Sequence, residues 1–286
     1  MRNSTIDLHM HSACSDGSDP VPDLLQAVQR AGIRTFALTD HDTVDGLEPM
    51  SRLIPQGMRL IRGIEFSCLS PAGKCHILGY GFDPREPVFR ETVREASSLR
   101  YDKLAQRLDY LKEHFGIVFE KGELSWLHDQ TSPGRPHIAE LLVKRGLASD
   151  IQDAFTRYLD QIPSPRIDAG KAIRAILSAG GIPVWAHPFG ESPASLDTEE
   201  AVLDQLSVLM DLGLRGLECC YSQYDDGQEA FLLTTAAANG LLVSGGSDYH
   251  GDRKPIALGE LGTGPEEYDP MERFTILREL LSSETP

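Results

Sequence analysis

The chain has 286 residues, is 41% hydrophobic and carries a formal net charge of −16. That length and apolar content suit one large α/β domain, or one domain with an inserted subdomain, and argue against disorder. The acidity counts against duplex nucleic acid or long RNA as a tightly held partner. No run of about 18 apolar residues is present to span a membrane. The N-terminal residues read straight into a strand rather than a signal peptide. The five cysteines are odd in number and lack CxxC spacing, so they read as reduced thiols, and the expected location is cytoplasmic.

Strand and helix signals alternate through the first third. TIDLHMHS reads as a strand. PVPDLLQAVQRAG reads as a helix, with proline near its start and Gly32 after its end. TFALTDH is a second strand, followed by a helix around 44–54. MRLIRGIEFSC and KCHILGYGF are two more strands. From about 86 to 162 the pattern is mostly helical, and QIPSPRID is a proline-rich exit. Alternation then returns: helix 169–180, strand IPVWAHP, helix 198–212, strand GLECC, helix 227–239, strand LLVSGGSDYH and a helix at 270–282. Alternating βα units imply a parallel sheet or barrel whose chemistry gathers at the C-terminal strand ends.

Six of the nine histidines fall at or just after strand-like runs: His9, His11, His41, His76, His187 and His250. Carboxylates fall there too, at Asp16, Asp40, Asp42, Glu65, Glu218 and Asp248. Strand side chains alternate with period two, so His9 and His11 point the same way. Imidazole mixed with carboxylate and without thiolate suits Mn2+, Fe2+ or Zn2+ rather than a structural zinc knot. Six imidazoles with Asp16, Glu65 and Asp248 exceed the needs of one ion and could serve two or three. Such a site stays cationic inside an acidic protein, which suits an anionic substrate.

DLHMHS with SDG, LTDHDTVDG, GIEFS, CHILGYG, WAHP and GSDYHG occur in that order. Together they resemble the motifs of the PHP (polymerase and histidinol phosphatase) family. The resemblance implies an α/β fold, a distorted (β/α)7 barrel, formed by residues 1–84 and 169–286. Residues 85–168 would form a helical cap. It implies three metal positions: His9, His11, Glu65 and Asp248; Glu65, His76 and His187; and Asp16, His41 and His250. No ligand position is missing. Asp16, His41 and Asp248 would also carry the catalytic step. In the cap, Arg100 and Lys103 share a helix face, and Arg135 and His137 follow in GRPH. By analogy these four would grip a remote phosphate.

The implied activity is metal-dependent phosphoesterase, with Mn2+ the expected cofactor and a small phosphorylated compound the expected substrate. Phosphoribosyl 1,2-cyclic phosphate is preferred. The alternatives are a nucleoside 3′,5′-bisphosphate or a 5′→3′ oligoribonucleotide, and, from a different class, a non-catalytic PHP metal-binding module. A C–N hydrolase would use similar ligands but wants a catalytic lysine or a lone acid facing the metals. The residues define neither the oligomeric state nor the leaving-group acid.

Overall fold

The computed structural model describes residues 4–160, 162, 165–190, 198–262 and 269–282. Its strands are β1 (Ile6–Asp7), β2 (Thr35–Leu38), β3 (Arg59–Ser70), β4 (Gly73–Tyr80), β5 (Ile167–Asp168), β6 (Ile182–Trp185), β7 (Gly216–Tyr221) and β8 (Leu242–Gly246). Seven of them run β1-β2-β3-β4-β6-β7-β8, and β5 pairs with β3 beside that path. The two ends then meet. Leu8 N–H donates to Gly245 O (3.2 Å), Asp248 N–H to His9 O (2.8 Å), and Met10 bridges Tyr249. The sheet is thus a nearly closed barrel, as the alternation of elements led one to expect.

Helices α1 (Val21–Arg30), α2 (Leu47–Leu53), α8 (Glu199–Asp211) and α9 (Asp226–Ala238) follow β1, β2, β6 and β7, and α7 (Ala169–Ser178) follows β5. Helix α1 shows why they form. Val21, Leu24, Leu25 and Val28 recur at helical spacing and are buried, and a proline opens the first turn. Gly32 then takes φ 77°, which stops the helix. Between β4 and β5 lie α3 (Pro87–Phe115), α4 (Lys121–His128), α5 (Arg135–Lys144) and α6 (Ile151–Ala154), the last continued by a π-type turn over Phe155–Leu159.

Three elements depart from the sequence reading. The first strand was expected over TIDLHMHS, yet its ladder covers only Ile6–Asp7. His9 N–H instead donates to Asp7 Oδ1 (3.2 Å) and Met10 N–H to Thr39 Oγ1 (3.1 Å). Side-chain acceptors replace the ladder, and the chain bends. Second, β3 and β4, read as consecutive strands, are not parallel as the alternating units implied. They form an antiparallel hairpin with Ser67 opposite His76, and β4 is also antiparallel to β6. The start of β4 therefore lies at the same barrel end as the C-terminal ends of its antiparallel neighbours β3 and β6. Third, the C-terminal helix is two pieces, α10 (Pro270–Arg273) and α11 (Ile276–Ser282). The proposed exit QIPSPRID lies partly outside the described residues.

Apolar side chains form two clusters. One lines the barrel and its outer helices; the other joins Leu104, Leu111, Leu127, Ile138 and Leu142 within the helical insertion. Helix α3 serves both. Phe89 and Ala96 belong to the first cluster, Leu104 and Leu111 to the second.

Gly246, at the end of β8, permits a close approach where the sheet closes. A Cβ there would lie 2.4 Å from both the backbone nitrogen and the Cβ of His9. Gly246→Ala must push β1 away from β8, and overpacking of this kind costs about 1–3 kcal/mol. A urea titration should show that loss, whereas Gly57→Ala, in open space but at φ 90°, should strain the backbone without moving His9.

Candidate metal centre

One carboxylate organises the barrel mouth. Glu65 projects from β3, is 1% exposed, and faces five imidazoles. Its Oε2 lies 3.1 Å from His9 Nε2, 3.1 Å from His11 Nε2 and 3.2 Å from His41 Nδ1. Its Oε1 lies 2.9 Å from His76 Nδ1 and 3.0 Å from His187 Nε2. His76 comes from the start of β4, which the antiparallel hairpin brings to this end. Asp248 joins from the loop after β8, its Oδ1 3.2 Å from His11 Nε2 and 3.5 Å from His9 Nε2.

Asp16 anchors the other side. It lies 3.4 Å from His250 Nε2 and 3.8 Å from both His41 Nε2 and His11 Nδ1. All nine residues singled out as ligands from the sequence are therefore brought together. The rings of His11 and His41 each stand between Glu65 and Asp16, so these two border more than one group. Ligand atoms cluster as His9–His11–Glu65–Asp248, as His11–Asp16–His41–His250 and as His41–Glu65–His76, each within 4.8 Å.

The donor set fits divalent ions. His11 Nε2, His41 Nδ1 and Asp16 Oδ1 are buried and have no hydrogen-bond partner. Two of these nitrogens are close to Glu65 but not aligned for a hydrogen bond to it. These atoms converge on shared space instead. Donors held about 2.1 Å from one ion at tetrahedral or octahedral angles stand about 3.0–3.4 Å apart, and most of the separations above match.

Surrounding residues fix the ligands. His9 Nδ1 meets Glu218 Oε1 at 2.9 Å, and Glu218 Oε2 accepts from His187 N–H at 2.8 Å. Glu218 so sets the ring orientation of one histidine and the backbone of another. Asp40 accepts from Ser12 and from Ser15, whose hydroxyl lies 3.5 Å from His11 Nδ1, and Asp7 accepts from Ser247, Gly259 and His9 N–H. Asp42, His187 and Asp248 are the described non-glycine residues with positive φ, at 56°, 31° and 56°. Each such residue costs about 1–3 kcal/mol, and here all three lie at the site. Asp248 is locked by its neighbours: its N–H reaches His9 O, its carbonyl meets His250 Nδ1 at 2.8 Å, and Tyr221 Oη donates to its Oδ2 at 2.8 Å. Lys254 ion-pairs with the same Oδ2. Sequence reading passed over Lys254, although it stands six residues after Asp248.

Residues of the helical insertion reach this mouth. Ser132 Oγ donates to His41 O at 2.8 Å. A Cβ at Gly134 would sit 3.4 Å from Arg100 Nη1 and 3.5 Å from Asp16 Oδ2. Arg100 is buried on α3, donating to Asp42 Oδ2 (2.6 Å) and Ser67 Oγ (3.0 Å). Lys103 is also buried, yet forms no hydrogen bond or ion pair with a described residue. Burial, then repulsion from Arg100, pushes its ammonium down to about 7. Arg135 lies further out, paired with Asp160 and 4.9 Å above the Phe155 ring. His137 Nδ1 accepts from Gly134 N–H (3.0 Å), and its Nε2 is 3.3 Å from Arg253 Nη1. Burial and Arg253 hold His137 down at about 4, neutral at pH 7.

The PHP domain family profile matches residues 7–166. A 3′,5′-nucleoside bisphosphate phosphatase from Chromobacterium violaceum is 29% identical over 256 residues, 86% of this chain and 87% of the relative. A phosphoribosyl 1,2-cyclic phosphate 1,2-diphosphodiesterase from Eggerthella lenta is 29% identical over 254 residues, 86% of this chain and 94% of the relative. A 5′-3′ exoribonuclease from Haemophilus influenzae is 30% identical over 260 residues, 89% and 93% of the two chains. Among solved structures, one from Bifidobacterium adolescentis, assigned there as a metal-dependent phosphoesterase, superposes with a TM-score of 0.82. It is 29% identical and covers 98% of this chain and 96% of that one.

Two outcomes follow at the ligands. Burial works against the charged form of His11, but the nearby Asp248 and Glu65 carboxylates outweigh it and raise His11 to about 9. Without metal it is therefore protonated at pH 7, and an ion must displace that proton. Calorimetric titration of the metal-free protein with Mn2+ at pH 7, in buffers of different ionisation enthalpy, should show net proton release that shrinks as pH approaches 9. Glu218→Gln should weaken metal binding roughly 10–100-fold while the chain stays folded by circular dichroism.

Proposed function

Because the chain belongs to the PHP domain family and is a metal-dependent phosphoesterase, we propose that its substrate is a compact sugar phosphate with two anionic groups. Phosphoribosyl 1,2-cyclic phosphate is the best match, opened as a diester and then hydrolysed as a monoester. A nucleoside 3′,5′-bisphosphate is the alternative. The observation that carries this reading is the proximity of two anion-attracting regions. The position of one absent Cβ, at Gly134, is within 3.5 Å of both Asp16 in the ligand cluster and Arg100 in the cap. Two anions held that close belong to one small molecule. The net charge of −16 disfavours a long polyanion in the same place.

Two or three divalent ions, Mn2+ with Fe2+ or Zn2+ as alternatives, would polarise the phosphoryl oxygens and activate water. The chain's own residues do the rest. His9, His11, Glu65 and Asp248 would hold one ion, Glu65, His76 and His187 a second, and Asp16, His41 and His250 a third. Arg100 is fixed by Asp42 and Ser67, so its guanidinium is oriented before substrate arrives. Lys103 would meet the remote phosphate beside it, and that anion would restore its proton. Arg135 guards the outer edge. His137 shapes the Gly134 loop through Nδ1 and receives Arg253 at Nε2, so it would position the loop against the substrate. The free thiols fit a cytoplasmic location.

Phosphate release by the Mn2+-loaded protein tests this. The cyclic ester should be turned over at least tenfold more efficiently than adenosine 3′,5′-bisphosphate by kcat/KM, about 1.4 kcal/mol of transition-state preference. Asp248→Ala should abolish both. A bisphosphate that wins would move the enzyme to nucleotide turnover. A folded, metal-loaded but inert protein would leave a binding module.

A further inference from the structure

Three carboxylates belong to the ligand cluster, and they are not held alike. Glu65 and Asp16 each turn both oxygens to imidazoles. Asp248 differs. Its Oδ1 faces His9, His11 and, at 3.4 Å, His250 Nδ1. Its Oδ2 accepts from Tyr221 Oη at 2.8 Å and ion-pairs with the Lys254 ammonium. Among the described residues, Asp248 is the one of these three with an oxygen held by side chains from outside the cluster.

The chain after His250 is shaped to deliver that lysine. A short 3-10 turn over Gly251–Arg253 folds it back, with Gly251 at φ 67° and Lys254 N–H directed to Gly251 O (3.4 Å). Arg253 leaves the turn for Gly17 O and Glu140, and Lys254, next in the chain, turns to Asp248. The lysine side chain is 18% exposed and that of Asp248 3%, so water screens the pair little. The ammonium also donates to Tyr221 Oη at 2.9 Å. The hydroxyl has one hydrogen to give, and Asp248 receives it. Ammonium, hydroxyl and carboxylate oxygen close a triangle of bonds to a charged acceptor, which are the strong kind.

We propose that Lys254 is a positioning residue that, with Tyr221, ties off Asp248 Oδ2 and keeps Asp248 a one-oxygen ligand, so that the centre selects Mn2+ against Ca2+. The proposal rests on the metal-dependent reading of the site and not on which ester is hydrolysed. Ca2+ takes about six to eight oxygens, often both oxygens of one carboxylate, whereas imidazole-rich sites suit transition ions. An Asp248 free to turn would offer Ca2+ a second oxygen. Held at Oδ2, it offers only Oδ1. Charge alone does not produce the same effect. Removing Lys254 takes one positive charge from beside the site, which favours every divalent ion alike and leaves the preference between two of them unchanged. Freedom of Oδ2 is what moves that preference.

Competition between the two ions reads the preference without catalysis. Protein loaded with Mn2+ is titrated with Ca2+ at pH 7, and electron paramagnetic resonance follows the Mn2+ set free. In the wild type, half-release should need a large excess of Ca2+. Lys254→Met should lower that excess roughly tenfold, within the range that residues supporting a metal ligand command. Tyr221→Phe should lower it by a smaller factor. Lys254→Arg should keep it near the wild-type value, because a guanidinium can still hold Oδ2. An unchanged excess in Lys254→Met, or a wild type that takes Ca2+ as readily as Mn2+, would overturn the proposal. Circular dichroism checks the fold. If Lys254→Met does not fold, Tyr221→Phe, which loses only a hydroxyl, decides by the same criterion. Phosphate release is measured separately. A protein that keeps the preference for Mn2+ and loses it in Lys254→Met, yet hydrolyses no ester, would sink the phosphoesterase reading and support the role of Lys254.

Discussion

Glu65 is the residue on which the barrel mouth depends. Five imidazoles face its two oxygens, and they arrive from four separate stretches of chain: the bend after β1, the end of β2, the start of β4 and the end of β6. No local interaction could gather them. A fully buried carboxylate is expensive unless it is neutralised, and nearby histidines hold this one well below the usual carboxylate range despite its burial. The closed sheet follows from that need. Only a ring of strands lets four or five elements approach one side chain from all directions, and Gly246 lets β8 come close enough to β1 to complete the ring.

That dependence also explains where backbone strain sits. Asp42, His187 and Asp248 adopt left-handed φ values at the points where the chain leaves a strand and must aim a side chain inward. A regular strand would send alternate residues outward. The turn after β8 instead delivers both Asp248 and His250 to the site, and their mutual contact, His250 Nδ1 with Asp248 O, ties one ligand to the next. Strain of this kind persists only when the surroundings over-determine it, and Tyr221 and Lys254 on Asp248 supply that constraint.

Much of this was legible in the sequence, for reasons that differ between the two parts. Barrel ligands such as His9, His11 and His250 stand out because histidine is uncommon and these fall at strand ends, where periodicity marks them. Glu218 was noticed, but its tie to His9 Nδ1 spans 209 positions and has no local signature. The shortness of β1 could not be read either: Thr39 and Asp7 steal its hydrogen bonds through side chains that look ordinary in sequence. In the cap, Arg107 was legible in principle. It continues the stripe of Arg100 and Lys103 by one more turn, but charged residues on a helix are read as solvent-facing by default, and only burial shows otherwise.

Net charge and local charge are opposed in this molecule, and the opposition has a physical consequence. The protein as a whole repels anions at a distance, while the buried middle of α3 gathers the cations Arg100, Lys103 and Arg107. Screening makes the first effect fade within about 8–10 Å at physiological salt, whereas the second acts where water is excluded and is screened little. An extended polyanion must bring many charges against the acidic surface before any reach the cap. A compact phosphorylated molecule would meet that surface with few charges and then trade its hydration for guanidinium and ammonium groups that the fold keeps buried. Helix α3 forgoes stability by placing Arg100, Lys103 and Arg107 where a core stripe wants leucine, and a small anion bound there would offset part of that cost.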